Sequence, residues 1–289
     1  MKKLILILFV FVTFVTNAQD KDAYRIFTGD GKKADYHDVV KQSLKSDVIF
    51  FGELHDNPIA HWLELELAKD IFAGKGNKLI LAAEMFETDN QVIIDEYLAG
   101  LIKESSFESE ARLWKNYNTD YKPLVSFAKK NNLKFAASNI PRRYASVVSS
   151  GGFEALEKLS DEAKKYIAPL PVLYDPELRC YKEMLKMDMG PKGPAPENFP
   201  KAQAIKDATM ASSIVNYLQP GTTIIHYNGS YHSDNYQGIL WYLGKYSPSV
   251  KSLTITTVLQ DDTDKLAEES RGKADFVIVV PVTMTRTYK

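Results

Sequence analysis

The sequence predicts an α/β protein: a central, mostly parallel sheet flanked by helices, with a helical lid inserted at about residues 87–200. Three observations predict it. Short apolar runs that suit buried strands alternate with amphipathic runs that suit helices. The links between them are short, which favours parallel pairing through right-handed crossovers. Several apolar runs stop abruptly at polar residues, as strands do where their carboxyl ends line a ligand crevice. The 289 residues, 45% hydrophobic and 25% charged, suffice to bury one large domain.

The chain opens with Lys2 and Lys3, an apolar run from Leu4 to Val15, and Thr16-Asn17-Ala18. This is the pattern of a secretory signal peptide, with cleavage expected after Ala18. The run is short for a span of about 20 residues. No Cys lies near the cleavage site, so the expected product is periplasmic or secreted and not lipid-anchored. Residues 19–289 then form a single domain. Its one cysteine, Cys180, excludes an intramolecular disulfide and a Cys-based metal cluster. A net charge of −1 gives no signature for nucleic acid or an anionic membrane.

Residues 19–45 read as an ordered polar leader with a turn at Thr28-Gly29-Asp30-Gly31. Asp47 to Glu53 is the first strong strand. Pro58 opens a helix, a position where its missing N–H has no partner to lose. That helix ends near Gly74 and Gly76. Lys78 to Phe86 is a strand with Glu84 near its end. Residues 88–131 look helical. Leu133 to Ser138 is a short strand ending in Asn139-Ile140-Pro141-Arg142-Arg143-Tyr144. Residues 152–187 are helical pieces broken by Pro169, Pro171 and Pro176, and 189–200 form a Gly/Pro-rich loop. A helix over 199–218 puts Gln203 and Asp207 on one face. Gly221 to Tyr227, Val250 to Val258 and Asp275 to Val280 complete the sheet, with a helix from about Asn235 to Lys245 between the first two.

Gly-x-x-His occurs twice, as Gly52-Glu53-Leu54-His55 and Gly229-Ser230-Tyr231-His232. Each follows an apolar strand and precedes a helix. Glycine permits a sharp turn and close approach of a ligand, and imidazole serves as metal ligand or general base. His55, His232 and Glu84 are therefore the candidate ligands of a divalent ion, with zinc or manganese suited to such N/O donors. Glu53 or His61 would take a proton from bound water if the site is hydrolytic. His61 reaches the same site or bonds to a helical neighbour. His226, inside a strand, is expected as a satisfied core residue. Glu84, in an apolar run, needs a partner such as His55 or Arg142. Arg142 and Arg143 at a helix start would hold a carboxylate or a haem propionate, or would pair with Asp207 or Glu84. Tyr174 and Tyr181, with Tyr144, are tyrosines of exposed segments, and phenolate is one ligand type for haem iron.

These residues resemble the ChaN-like haem-binding family, within the superfamily that includes Tiki proteins. The resemblance rests on Gly52-Glu53-x-His55-Asp56-x-Pro58-x-x-His61, Glu84, Asn139-x-Pro141-Arg142, Gln203-x-x-x-Asp207-x-x-Met210-Ala211 and Gly229-x-x-His232, across about residues 45–280. It implies the EreA/ChaN-like α/β fold and a supporting role at the site for Asn139, Gln203 and Asp207. It also implies haem as cofactor in iron acquisition, a tyrosine ligand, a homodimer and outer-membrane uptake machinery as partner. The Tiki and erythromycin-esterase-like branches imply the alternative, a metal-dependent hydrolase acting on a small molecule. The sequence departs from the ChaN branch in lacking a lipobox Cys.

Overall fold

The computed structural model describes residues 21–187 and 196–288. The signal peptide expected at 1–18 and most of the Gly/Pro-rich loop lie outside the described residues.

Eight strands form one sheet in the order β2-β1-β8-β7-β3-β6-β4-β5. They are β1 (Arg25–Thr28), β2 (Lys33–Ala34), β3 (Val48–Glu53), β4 (Leu79–Glu87), β5 (Lys134–Asn139), β6 (Thr223–Gly229), β7 (Ser252–Gln260) and β8 (Phe276–Pro281). From β8 to β5 every pairing is parallel. β1 runs antiparallel to both β2 and β8. The polar leader is therefore more than a lead-in: it supplies the edge strand β2, its neighbour β1 and a helix, α1 (Tyr36–Ser43).

β3 sits in the middle and is buried along its whole length. Its alternating side chains separate the two cores. Ile49 and Phe51 join the layer of α2 (Pro58–Lys75), α3 (Gln91–Leu98) and α5 (Lys122–Lys130). Val48 and Phe50 join the layer of α6 (Arg142–Gly151), α9 (Phe199–Tyr217) and α10 (Ile239–Tyr246). Two faces covered by helices explain why the strands read as continuous apolar runs.

The stretch 87–200, expected as a helical lid, contains β5, which pairs with β4 inside the sheet. It is thus two crossovers. Helix α3, α4 (Glu104–Glu110) and α5 link β4 to β5. Helix α6, α7 (Asp161–Lys164), α8 (Arg179–Met184) and α9 lead on to β6. Strand β5 is only six residues long, so a single short apolar run separates two long helical stretches.

β4 carries an irregularity: Ala83 pairs with Ala137, but the next pairing is Glu87 with Asn139. Glu84 lies in that irregular stretch, where a strand re-aims its side chains.

Candidate active and ligand-binding cleft

The carboxyl ends of β3, β4, β5 and β6 open into a cleft of about 680 Å³. Glu53, His55, Glu84, Asn139, Arg142, Gln203 and His232 all line it. A second hollow of about 550 Å³ shares Glu87, Trp114, Arg142 and Tyr288 with the first and adds Arg112, Lys115 and Arg143.

The two Gly-x-x-His turns interlock. A Cβ on Gly229 would lie 2.8 Å from His55 Nε2, and one on Gly52 would lie 3.0 Å from the Cα of Ser230. Each turn's glycine makes room for the other turn, which brings His55 and His232 to one floor.

His55 Nδ1–H donates to Glu53 Oε1 at 2.6 Å, and the Tyr121 hydroxyl donates to the same oxygen at 2.7 Å. The imidazole packs edge-on against Trp114, with ring centroids 4.9 Å apart. Burial works against a charged His55, but the hydrogen bond to Glu53 and the charges of Glu84 and Glu53 raise its pKa. Across the floor, His232 Nδ1 is hydrogen-bonded to Asp207 Oδ1, and Nε2 lies 3.2 Å from Glu84 Oε1. Burial disfavours the imidazolium, yet the charges of Glu84 and Asp207 lift His232 to about 10. Burial alone would raise Glu84. The His232 charge and hydrogen bond, the His55 charge and the Gly229 N–H, 2.8 Å from Oε2, hold it at about 2. The partner of Glu84 is thus His232, where His55 or Arg142 was expected; His55 contributes by its charge.

Gln203 reaches His232, its amide nitrogen 3.1 Å from Nε2. Asn139 lines the cleft with its buried Oδ1 unpartnered among the described residues.

Several expectations change. Tyr181 is fully buried, and its hydroxyl donates to Asp207 Oδ2 at 2.7 Å. It steadies the acid behind His232 and does not face the cleft. Tyr174 packs on Tyr181 and Phe153 in the α9 layer, away from the cleft lining. The segment holding both looked exposed because its prolines break the helical pattern, yet it packs back on α9. Arg143 pairs with Asp89 at 2.5 Å and stacks on Tyr144. Arg142 faces both hollows with no ion pair among the described residues. His61 is buried behind the floor, bonded to the carbonyl of His55 and facing Glu53 and Glu64, so it cannot touch a cleft-bound water. His226 is a core residue as expected: its Nδ1–H donates to Asn228 Oδ1 at 3.0 Å, and Ser138 donates to Nε2 at 2.9 Å. Among the described residues, the set of three ligand atoms lying within 4.8 Å of one another belongs to Glu53, His61 and Glu64, not to His55, Glu84 and His232.

Sequence reasoning missed Glu64, Trp114, Asp120, Tyr121, Lys206 and Tyr288. Glu64 was accessible, being three residues after His61 on one helical face. Nothing local marks the others. Tyr288 arrives because the C-terminal segment doubles back: Arg286 pairs with Asp56 at 2.7 Å, and the Thr287 hydroxyl donates to Asp120 at 2.8 Å.

Comparison with known proteins agrees with this architecture. The solved structure described as cofacial heme binding to ChaN of Campylobacter jejuni is similar over 91% of this chain and 98% of that one, with a TM-score of 0.70 and 18% identity. A Bacillus cereus protein of solved structure aligns over 92% of this chain and 97% of its own, with a TM-score of 0.53 and 11% identity. The Arabidopsis thaliana protein RETICULATA-RELATED 5, chloroplastic, is 23% identical over 195 residues, which are 63% of this chain. The match spans only 26% of that longer relative. The sequence model of the family described as haem-binding uptake, Tiki superfamily, ChaN matches residues 39–243. Because that match runs through most of the chain and takes in both Gly-x-x-His turns, the protein belongs to the ChaN family of the haem-binding uptake, Tiki superfamily.

Proposed function

We propose that the protein is an exported haem-binding protein that serves haem or iron acquisition. The observation that carries this reading is the wall of the double hollow. Trp114, Arg142 and Tyr288 line both of its parts. An aromatic face, a guanidinium with no ion pair among the described residues and a phenol suit a flat, anionic, iron-bearing ring. Arg142 would hold a propionate. Tyr231 donates its hydroxyl to the Cys180 carbonyl. The Tyr288 hydroxyl has no hydrogen-bond partner among the described residues, so it is the better candidate to meet the iron. Bound haem would supply a redox-active iron centre, and the protein would supply the wall and the charge.

The test is a haemin titration of the mature chain followed by Soret absorbance. Saturable binding is expected, weakened about tenfold or more in Arg142→Ala, since a charged hydrogen bond is worth roughly 1.5–3 kcal/mol. A strictly linear, non-saturating response would sink the reading. Export is proposed from the basic and apolar start of the chain, and N-terminal sequencing of the mature product checks it at Gln19. A homodimer and an uptake system at the outer membrane are the partners this role would use.

A second reading has its own observation. Two imidazole–carboxylate pairs, Glu53–His55 and Asp207–His232, face one floor. In a hydrolase, His55 Nε2 would take a proton from water, oriented by Glu53. His232 would stabilise developing negative charge; alternatively, His55, Glu84 and His232 would hold a divalent ion, and Glu53 in place of His55 would take the proton. An esterase activity lost in His55→Ala, with haemin binding retained, would favour it.

A further inference from the structure

Behind the cleft floor lies a second cluster, of which the readings above use only Glu53. His61 Nε2–H donates to the His55 carbonyl at 3.1 Å. With Nε2 so engaged, Nδ1 is left to face the buried acids, as a donor when protonated or as a ligand atom when an ion is bound. That nitrogen faces Glu53 Oε2 at 3.3 Å and Glu64 Oε2 at 3.2 Å. Glu53 is 1% exposed and Glu64 is 0% exposed. Glu53 Oε2 and Glu64 Oε1 are buried with no hydrogen-bond partner among the described residues. Asp120 adds a third carboxylate, 3.5 Å from His61 Nε2. No Lys or Arg among the described residues forms an ion pair with any of the three acids.

Buried carboxylates without a compensating charge are costly. The space between the three groups calls for positive charge, which either a proton on His61 Nδ1 or a bound cation supplies. The candidate donor atoms of Glu53, His61 and Glu64 all lie within 4.8 Å of one another, and the 3.3 and 3.2 Å separations from His61 Nδ1 to Glu53 and Glu64 fit one ion with ligands at about 2.0–2.2 Å. A ring whose other nitrogen donates to a backbone carbonyl has the orientation of a metal-bound histidine.

We propose that Glu53, His61 and Glu64 form a buried site for a divalent cation of the zinc or manganese type. The site is separate from the cleft histidines and does not depend on haem binding. It touches the cleft through Glu53, whose other oxygen accepts from His55. The ion would fix the Glu53 carboxylate and so position His55. Because all three ligands are buried, the ion enters as the chain folds.

The full mature chain, refolded from urea in zinc or manganese and exhaustively dialysed, should retain about one ion per chain by elemental analysis. Glu64→Gln, nearly isosteric, should reduce this to background, while His232→Ala should keep it. No stoichiometric ion in the wild-type chain would overturn the proposal and leave a proton on His61 Nδ1 to supply the charge. An ion lost in His232→Ala but kept in Glu64→Gln would overturn it too, because the metal would then sit in the cleft. Should Glu64→Gln fail to fold, the wild-type melting midpoint decides. It should be higher after refolding with the ion than after refolding in chelator, and equal midpoints count against the site.

Discussion

Tyr181 shows how far one hydroxyl can act. Its O–H reaches Asp207 Oδ2, Asp207 holds His232, and His232 holds Glu84. Removing the hydroxyl leaves a buried carboxylate oxygen short of a donor, which costs about 1–3 kcal/mol. Tyr181→Phe should therefore lower the free energy of unfolding by that amount, read as a lower urea midpoint. The variant should keep its haemin stoichiometry, because the phenol is not in the cleft lining. Loss of saturable binding together with unchanged stability would show that the phenol belongs to the site after all. His55, Glu84 and His232 were legible as a group, since polar residues ending apolar strands must face a crevice. The role of Tyr181 was not, because its partner lies 26 residues away on another helix.

Among the elements, α2 is the one whose start the sequence states most clearly. Asn57 Oδ1 accepts from the N–H groups of Ile59 and Ala60, both at 3.0 Å, and Pro58 follows at the first helical position. This cap orients the first turn and with it His61. Asn57→Ala should cost about 1 kcal/mol, read as a lower urea midpoint with an unchanged slope. No change in midpoint would mean that packing alone sets the start of α2. The strands of the parallel region were legible for the same local reason, since both their faces are apolar. β1 and β2 were not. They are four and two residues long and polar at their margins, and they are strands only because β8 offers β1 an edge and β1 in turn offers one to β2.

At the scale of the whole molecule, two buried histidines pull the pH dependence of stability in opposite directions. Full burial pushes His226 down to about 4 from an ordinary value of 6.5, outweighing its hydrogen bond to Asn228. The unfolded chain then binds the extra proton between these values, so stability is complete above about pH 6.5 and is lost as pH falls towards 4. The loss is on the order of 3 kcal/mol. His232 is raised, so its contribution is complete below about pH 6.5 and is lost as pH rises towards 10. Urea unfolding at pH 4.5, 6.5 and 8.5 should give the highest stability at the middle value. A flat profile would mean that neither imidazole keeps its folded-state environment.

The sequence by itself determined the α/β class, the parallel strands, the two Gly-x-x-His turns and the acidic and amide residues of the floor. It could do so because those signals are local: periodicity, capping and an abrupt change of polarity at a strand end. Tertiary structure alone decided that the supposed lid is two crossovers around β5. It also decided that Tyr181 is a buried support, that Arg142 lines both hollows while Arg143 lines only the second and pairs with Asp89, and that Tyr288 returns to the cleft from the far end of the chain. Each of those outcomes depends on which surfaces meet across long sequence separations. Burial, ion pairing and hydrogen bonding are settled by those meetings, and no single stretch of chain encodes them.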